Sequence, residues 1–207
     1  MTTVSAQAQQ YPETPPASPG PVLLLGSGET SSTARKIYDQ LLKGFDPPVR
    51  MAVLETPAGF EPNSDRVAGR VAEFFRARLP HYRPIVEVVP ARARNTPYSP
   101  DNPDILAPLW TADVIFAGAG SPSYAVRQLR DSLCWQSVLA RHTQGAVLIL
   151  ASAATIAASR HTLPVYEIFK VGEELHWKPG LDLFGRYGLE LAIVTHWNNR
   201  EGGEELD

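Results

Sequence analysis

The sequence predicts an α/β fold: a doubly wound, mostly parallel sheet with helices on both faces. Three observations lead there. Short runs such as Val22 to Leu25, Val49 to Leu54 and Ala146 to Leu150 are apolar at nearly every position. A strand with that composition is buried on both faces, as in parallel sheets. Between the runs lie longer stretches whose apolar residues recur at three- and four-residue spacing, and the two kinds of segment alternate.

The elements follow in order. Val22 to Leu25 is the first strand, ended by Gly26-Ser27-Gly28. Thr30 to Ser32 can cap a helix carrying Ile37, Leu41 and Leu42, with Gly44 as its stop. Val49 to Leu54 is the second strand, and a helix with Val67, Val71, Phe74, Phe75 and Leu79 runs to Pro80. Ile85 to Val89 is the third strand. Pro90 to Pro103 is rich in Pro, Asn and Arg and reads as a loop, with a short helix over Asp104 to Trp110. Val114 to Phe116 is the fourth strand, followed by helical spacing in Tyr124 to Leu133 and Trp135 to Ala140. Ala146 to Leu150 is the fifth, a helix over Ala153 to Ser159 comes next, and Leu189 to Val194 reads as a sixth strand. Residues 1 to 19, rich in Pro, Gln, Ser and Ala, read as a disordered tail, and 20–207 as a single domain.

Composition bounds the function. The chain has 207 residues, 43% of them hydrophobic and 20% charged, with a net charge of −3. Its basic residues are scattered, so nothing calls for a nucleic acid or an anionic membrane as partner. One cysteine, Cys134, excludes an internal disulfide and a Cys-rich zinc site, and Cys134 itself reads as a small buried apolar residue. No apolar run approaches the roughly 18 residues that span a bilayer. The expected setting is a reducing cytoplasm.

Ligands of doubly wound sheets sit outside the carboxyl ends of the strands. Ser152 follows the fifth strand and is flanked only by Ala151, Ala153 and Ala154. Small neighbours are what a strained strand-to-helix turn requires, and such a turn presents a serine as a nucleophile with helix N–H groups beside it. The alternative is a plain helix cap. His196 follows the sixth predicted strand and would share that rim, placed to take and return the serine proton. His81, His142, His161 and His176 lack the placement. Glu167 and Asp182 both lie between Ser152 and His196 and are the candidates to orient the imidazole: Glu167, within the apolar Pro164–Phe169 run, is preferred over Asp182, which reads as an exposed turn. Gly118-Ala119-Gly120 after the fourth strand can bring backbone N–H groups close to a ligand, one of them as a second oxyanion donor. Gly26-Ser27-Gly28 lacks the remaining residues of a dinucleotide or phosphate loop, and no cofactor or metal is assigned. Glu29, Glu55, Arg127, Trp197, Asn198 and Asn199 are further candidates for the pocket.

From Pro21 onward the chain resembles the class I glutamine amidotransferase-like superfamily, whose fold is flavodoxin-like, and within it the peptidase S51 branch of dipeptidase E and cyanophycinase. That branch holds its nucleophile in a Ser-Ala-Gly-Ala turn, and Ser152-Ala153-Ala154-Thr155 is similar. Its Gly-Gly-Gly-Asn turn has a counterpart in Gly118-Ala119-Gly120-Ser121, and its His-Phe context one in His196-Trp197. The resemblance implies a serine hydrolase of peptide or amide bonds, with Ser152 as nucleophile and His196 as base. The substrate would be a small peptide or amide, and a second copy of the chain is a candidate partner. Three departures stand out. Ala154 replaces a glycine, Ser121 followed by Pro122 replaces the asparagine, and the chain stops eleven positions after His196. They keep open an inactive ligand-binding or interaction domain of the same fold. Glutamine amide hydrolysis for a partner synthetase is disfavoured, because that chemistry usually employs cysteine at the elbow.

Overall fold

The computed structural model describes residues 18–196. Five strands form one sheet in the order β1-β5-β4-β2-β3: β1 (Val22–Leu25), β2 (Arg50–Leu54), β3 (Ile85–Val89), β4 (Val114–Ala117) and β5 (Val147–Ala151). Every pairing is parallel, with Leu24 beside Leu150 and Val53 beside Phe116. The helices are α1 (Ser32–Leu41), α2 (Ser64–Arg78), α3 (Pro103–Trp110), α4 (Pro122–Leu129), α5 (Leu133–Thr143) and α6 (Ala153–Ala157).

Strand alternation sorts the core into two layers. Met51, Val53, Phe116 and Ile149 pack with Tyr38 of α1 and Phe75 of α2 on one face. Ala52, Leu54, Ile115 and Leu148 pack with Leu106 of α3 and Trp135 of α5 on the other. Each large side chain removed from water contributes about 1.5–3 kcal/mol, so a continuous apolar strand serves both layers at once. Local chemistry sets the helix starts. Ser31, Asn102, Ser121 and Ser132 each accept a backbone N–H from the first turn of the helix that follows. The expected helix over Tyr124 to Leu133 is broken where Asp131 takes a left-handed φ of 58° and Ser132 starts α5.

Two sequence expectations are corrected here. Leu189 to Val194 forms no strand: Arg160 N–H donates to Leu191 O at 2.9 Å, and Ile193 N–H donates to the Ser159 hydroxyl at 3.0 Å. Leu191 and Ile193 face the core while Val194 is exposed. The period of two reflects an extended strap packed on one side, with its hydrogen bonds directed to the end of α6. The helix after β5 is also shorter than predicted, ending at Ala157. A two-stranded antiparallel ribbon, β6 (His161–Thr162) with β7 (Lys178–Pro179), brackets a π-helical turn over Glu167–Val171.

The helices after β1 and β2 lie on one face and those after β3, β4 and β5 on the other. Neighbours β1 and β5 therefore send their chains to opposite sides, and so do β2 and β4. Each divergence opens a crevice at the carboxyl end of the sheet.

Candidate active site

Ser152 stands at the first of these crevices. Its φ of 51° and ψ of −118° are rarely adopted by a residue with a side chain, and such conformations cost about 1–3 kcal/mol. Both neighbouring strands hold the turn in place. Ser152 N–H donates to Leu25 O at the end of β1 (3.0 Å), and Ala154 N–H donates to Gly118 O after β4 (3.2 Å). The Thr155 hydroxyl lies 2.8 Å from Leu150 O and 3.0 Å from Leu25 O, within reach of either carbonyl. The Ala154 methyl, present where the resembled branch has glycine, is accommodated in the core layer below the turn.

His196 arrives from the strap rather than from a strand. The strap crosses the turn after β1, where a Cβ on Gly26 would lie 3.7 Å from His196 N. His196 also has a left-handed φ, 60°. Its Nε2 is 2.6 Å from Ser152 Oγ. In the tautomer with the proton on Nδ1, Nε2 accepts from the serine hydroxyl, the arrangement a general base needs.

The Gly118–Gly120 turn faces the serine across the mouth of the sheet. Gly120 has φ +142°, and a Cβ there would fall 1.9 Å from Pro57 O. Only glycine fits. Ser121 N–H donates to the same Pro57 carbonyl at 3.0 Å. The Ser121 hydroxyl accepts from Tyr124 N–H at 3.1 Å and donates to Glu167 Oε1 at 3.4 Å. Glu167 Oε2 is buried without a hydrogen-bond partner among the described residues. Glu167 is thus tied to the Gly-rich turn, while Asp182 is exposed beyond the far end of α6, its N–H bonded to Ser159 O.

Ala119, Gly120, Ser152, Ala153, Thr195 and His196 line one cavity of about 550 Å³. Its remaining walls come from 156–175, which the sequence had marked only for Glu167. An apolar run that lies outside the sheet was the signal available. The other predicted pocket residues disperse. Glu29 and Glu55 line a separate cavity of about 260 Å³ at the β2–β4 crevice, sharing only Ala119 with the first. The buried Glu55 Oε1 sits 2.7 Å from Arg92 Nε, near enough for charge pairing though out of line for a hydrogen bond. Arg127 packs over the Tyr124 ring. Trp197, Asn198 and Asn199 lie outside the described residues. Among those described, no group of three or more His, Cys, Asp or Glu is placed to hold a metal ion, and no helix is long and apolar enough to cross a membrane. His142 is buried in α5, 2.5 Å from the Tyr187 hydroxyl, and burial lowers its pKa. Burial pushes the Cys134 thiol up to about 12.

Fold and rim together define a class: doubly wound α/β proteins that present a serine at a strained strand-to-helix turn against a histidine. Within that class the fold is similar to that of two solved structures named as peptidases. A peptidase from an acI-B1 Actinobacterium superposes with a TM-score of 0.69 at 19% identity, over 88% of this chain and 70% of that one. A candidate peptidase E protein from Listeria monocytogenes EGD-e gives 0.60 at 15% identity, over 88% and 81%. No protein-family model matches the chain, and no curated protein matches it.

Proposed function

We propose that this protein is a serine hydrolase of peptide or amide bonds. The observation that carries the reading is the 2.6 Å contact between Ser152 Oγ and His196 Nε2 at a strained turn. Ser152 Oγ attacks the substrate carbonyl carbon while His196 takes its proton. The N–H groups of Ala153 and of Gly120, beside Ser152 in one cavity, receive the oxyanion, each contributing roughly 3 kcal/mol. The imidazolium then protonates the leaving nitrogen as the C–N bond breaks. Water, deprotonated by the same ring, releases the acid and regenerates Ser152. Glu167 is the acid assigned to orient the ring. Its tie to Ser121 keeps it beside the Gly-rich turn, and Glu167→Gln tests the assignment by lowering kcat about 10³-fold or more if the carboxylate is required. The structural neighbours, named as peptidases, favour a peptide substrate.

The test is covalent labelling. A fluorophosphonate probe should mark the wild-type protein and leave Ser152→Ala unmarked. Equal labelling of the two would remove Ser152 from the mechanism.

A further inference from the structure

The cavity beside Ser152 has a lining that the hydrolytic chemistry does not use. Ile156, Leu163, Val165, Ile168, Phe169 and Leu175 supply its walls. Lys170 is the single permanently charged side chain among the described lining residues, and no carboxylate accompanies it. Two of the walls are wet although they are large and apolar: Phe169 is 77% exposed and Leu175 75%. Lys170 Nζ lies 5.3 Å from the Phe169 ring centroid, so the charge sits beside an apolar wall.

Resting on the hydrolase reading, we propose that this cavity selects substrates with an apolar side chain on the acyl side of the scissile bond. Leucine- or phenylalanine-sized groups fit the lining chemistry. Such a group would leave water and cover Phe169 and Leu175 as it binds, a driving force proportional to the apolar area removed. A cationic side chain would meet the like charge of Lys170 with no carboxylate among the described lining residues to receive it, Glu167 being bonded to the Ser121 hydroxyl. An acidic one would shed its hydration among six apolar side chains for one exposed ammonium, whose pairing in water is weak. The volume, about 550 Å³, exceeds what one side chain needs and leaves room for the neighbouring peptide unit.

Purified full-length protein should be assayed with fluorogenic amides of Leu, Phe, Asp and Lys that share one leaving group. Leu and Phe are expected to exceed Asp and Lys in kcat/KM by roughly tenfold or more. The Phe169→Ser protein, altered at an exposed position, should lower the Leu-to-Asp ratio several-fold. In Lys170→Glu the Lys amide should gain on the Asp amide. Wild-type labelling by the fluorophosphonate probe, with Asp or Lys amides preferred, overturns the specificity and leaves the hydrolase standing. Absence of both labelling and amide turnover overturns the two together.

Discussion

Replacing Ser152 by Gly and by Ala separates its backbone role from its chemistry. Both variants lose the hydroxyl and its contact with His196, so that loss, worth about 0.5–1.5 kcal/mol, cancels between them. What remains is φ 51° with ψ −118°, which disfavours any residue with a Cβ by about 1–3 kcal/mol. Glycine escapes that strain but loses about 0.5–1 kcal/mol through greater freedom in the unfolded chain. The difference favours Ser152→Gly over Ser152→Ala by about 1 kcal/mol, or a Tm roughly 2–4 °C higher in a domain of this size. Urea unfolding at neutral pH and thermal scans on both variants read it directly, and neither variant should react with a fluorophosphonate. If Ser152→Ala proves as stable as Ser152→Gly, the strain is no larger than the roughly 0.5–1 kcal/mol that glycine loses through unfolded-chain freedom, below the range expected of this turn, and the case for a preformed nucleophile loses its structural basis.

Further outcomes follow from the same reasoning. Gly120→Ala should destabilise the protein by about 3 kcal/mol or more, because its Cβ meets Pro57 O at 1.9 Å. Gly69→Ala in α2, where a Cβ meets nothing within 4 Å, should be neutral or stabilising by up to about 1 kcal/mol. Denaturant curves of the pair compare the two sites within one fold. Cys134, with its thiol pushed up to about 12 and no exposure, should resist iodoacetamide at pH 8 and react once the chain is unfolded in urea. His142 has its pKa lowered by burial, so the folded state holds it neutral and binds fewer protons than the unfolded chain below the ordinary value of 6.5. Its contribution is complete above that pH and is lost as the pH falls further. Tm measured from pH 7.5 to 5 should therefore fall less steeply in His142→Gln than in the wild type.

The residues that make the central sheet announce themselves. Val147 to Ala151 are buried at every position, as an apolar run between turn residues requires, and the serine and asparagine caps of α1, α3, α4 and α5 lie at the starts of their helical segments. Leu189 to Val194 carries the same kind of signal and yet pairs with no strand. Alternation records which side chains are buried, whereas strand pairing depends on which backbone groups lie opposite. His196 reached the rim regardless, because the strap runs past α6 to the turn after β1.

By itself the sequence determined the parallel α/β architecture and the small-residue turn around Ser152, since these depend on local sterics and on burial that composition encodes. Tertiary structure alone decided the 2.6 Å approach of a histidine 44 positions away, the attachment of Glu167 to Ser121, and the assembly of 156–175 into an apolar cavity wall. Those contacts join segments distant along the chain. Their distances depend on how strands, strap and ribbon pack, and no local pattern of residue types carries that information.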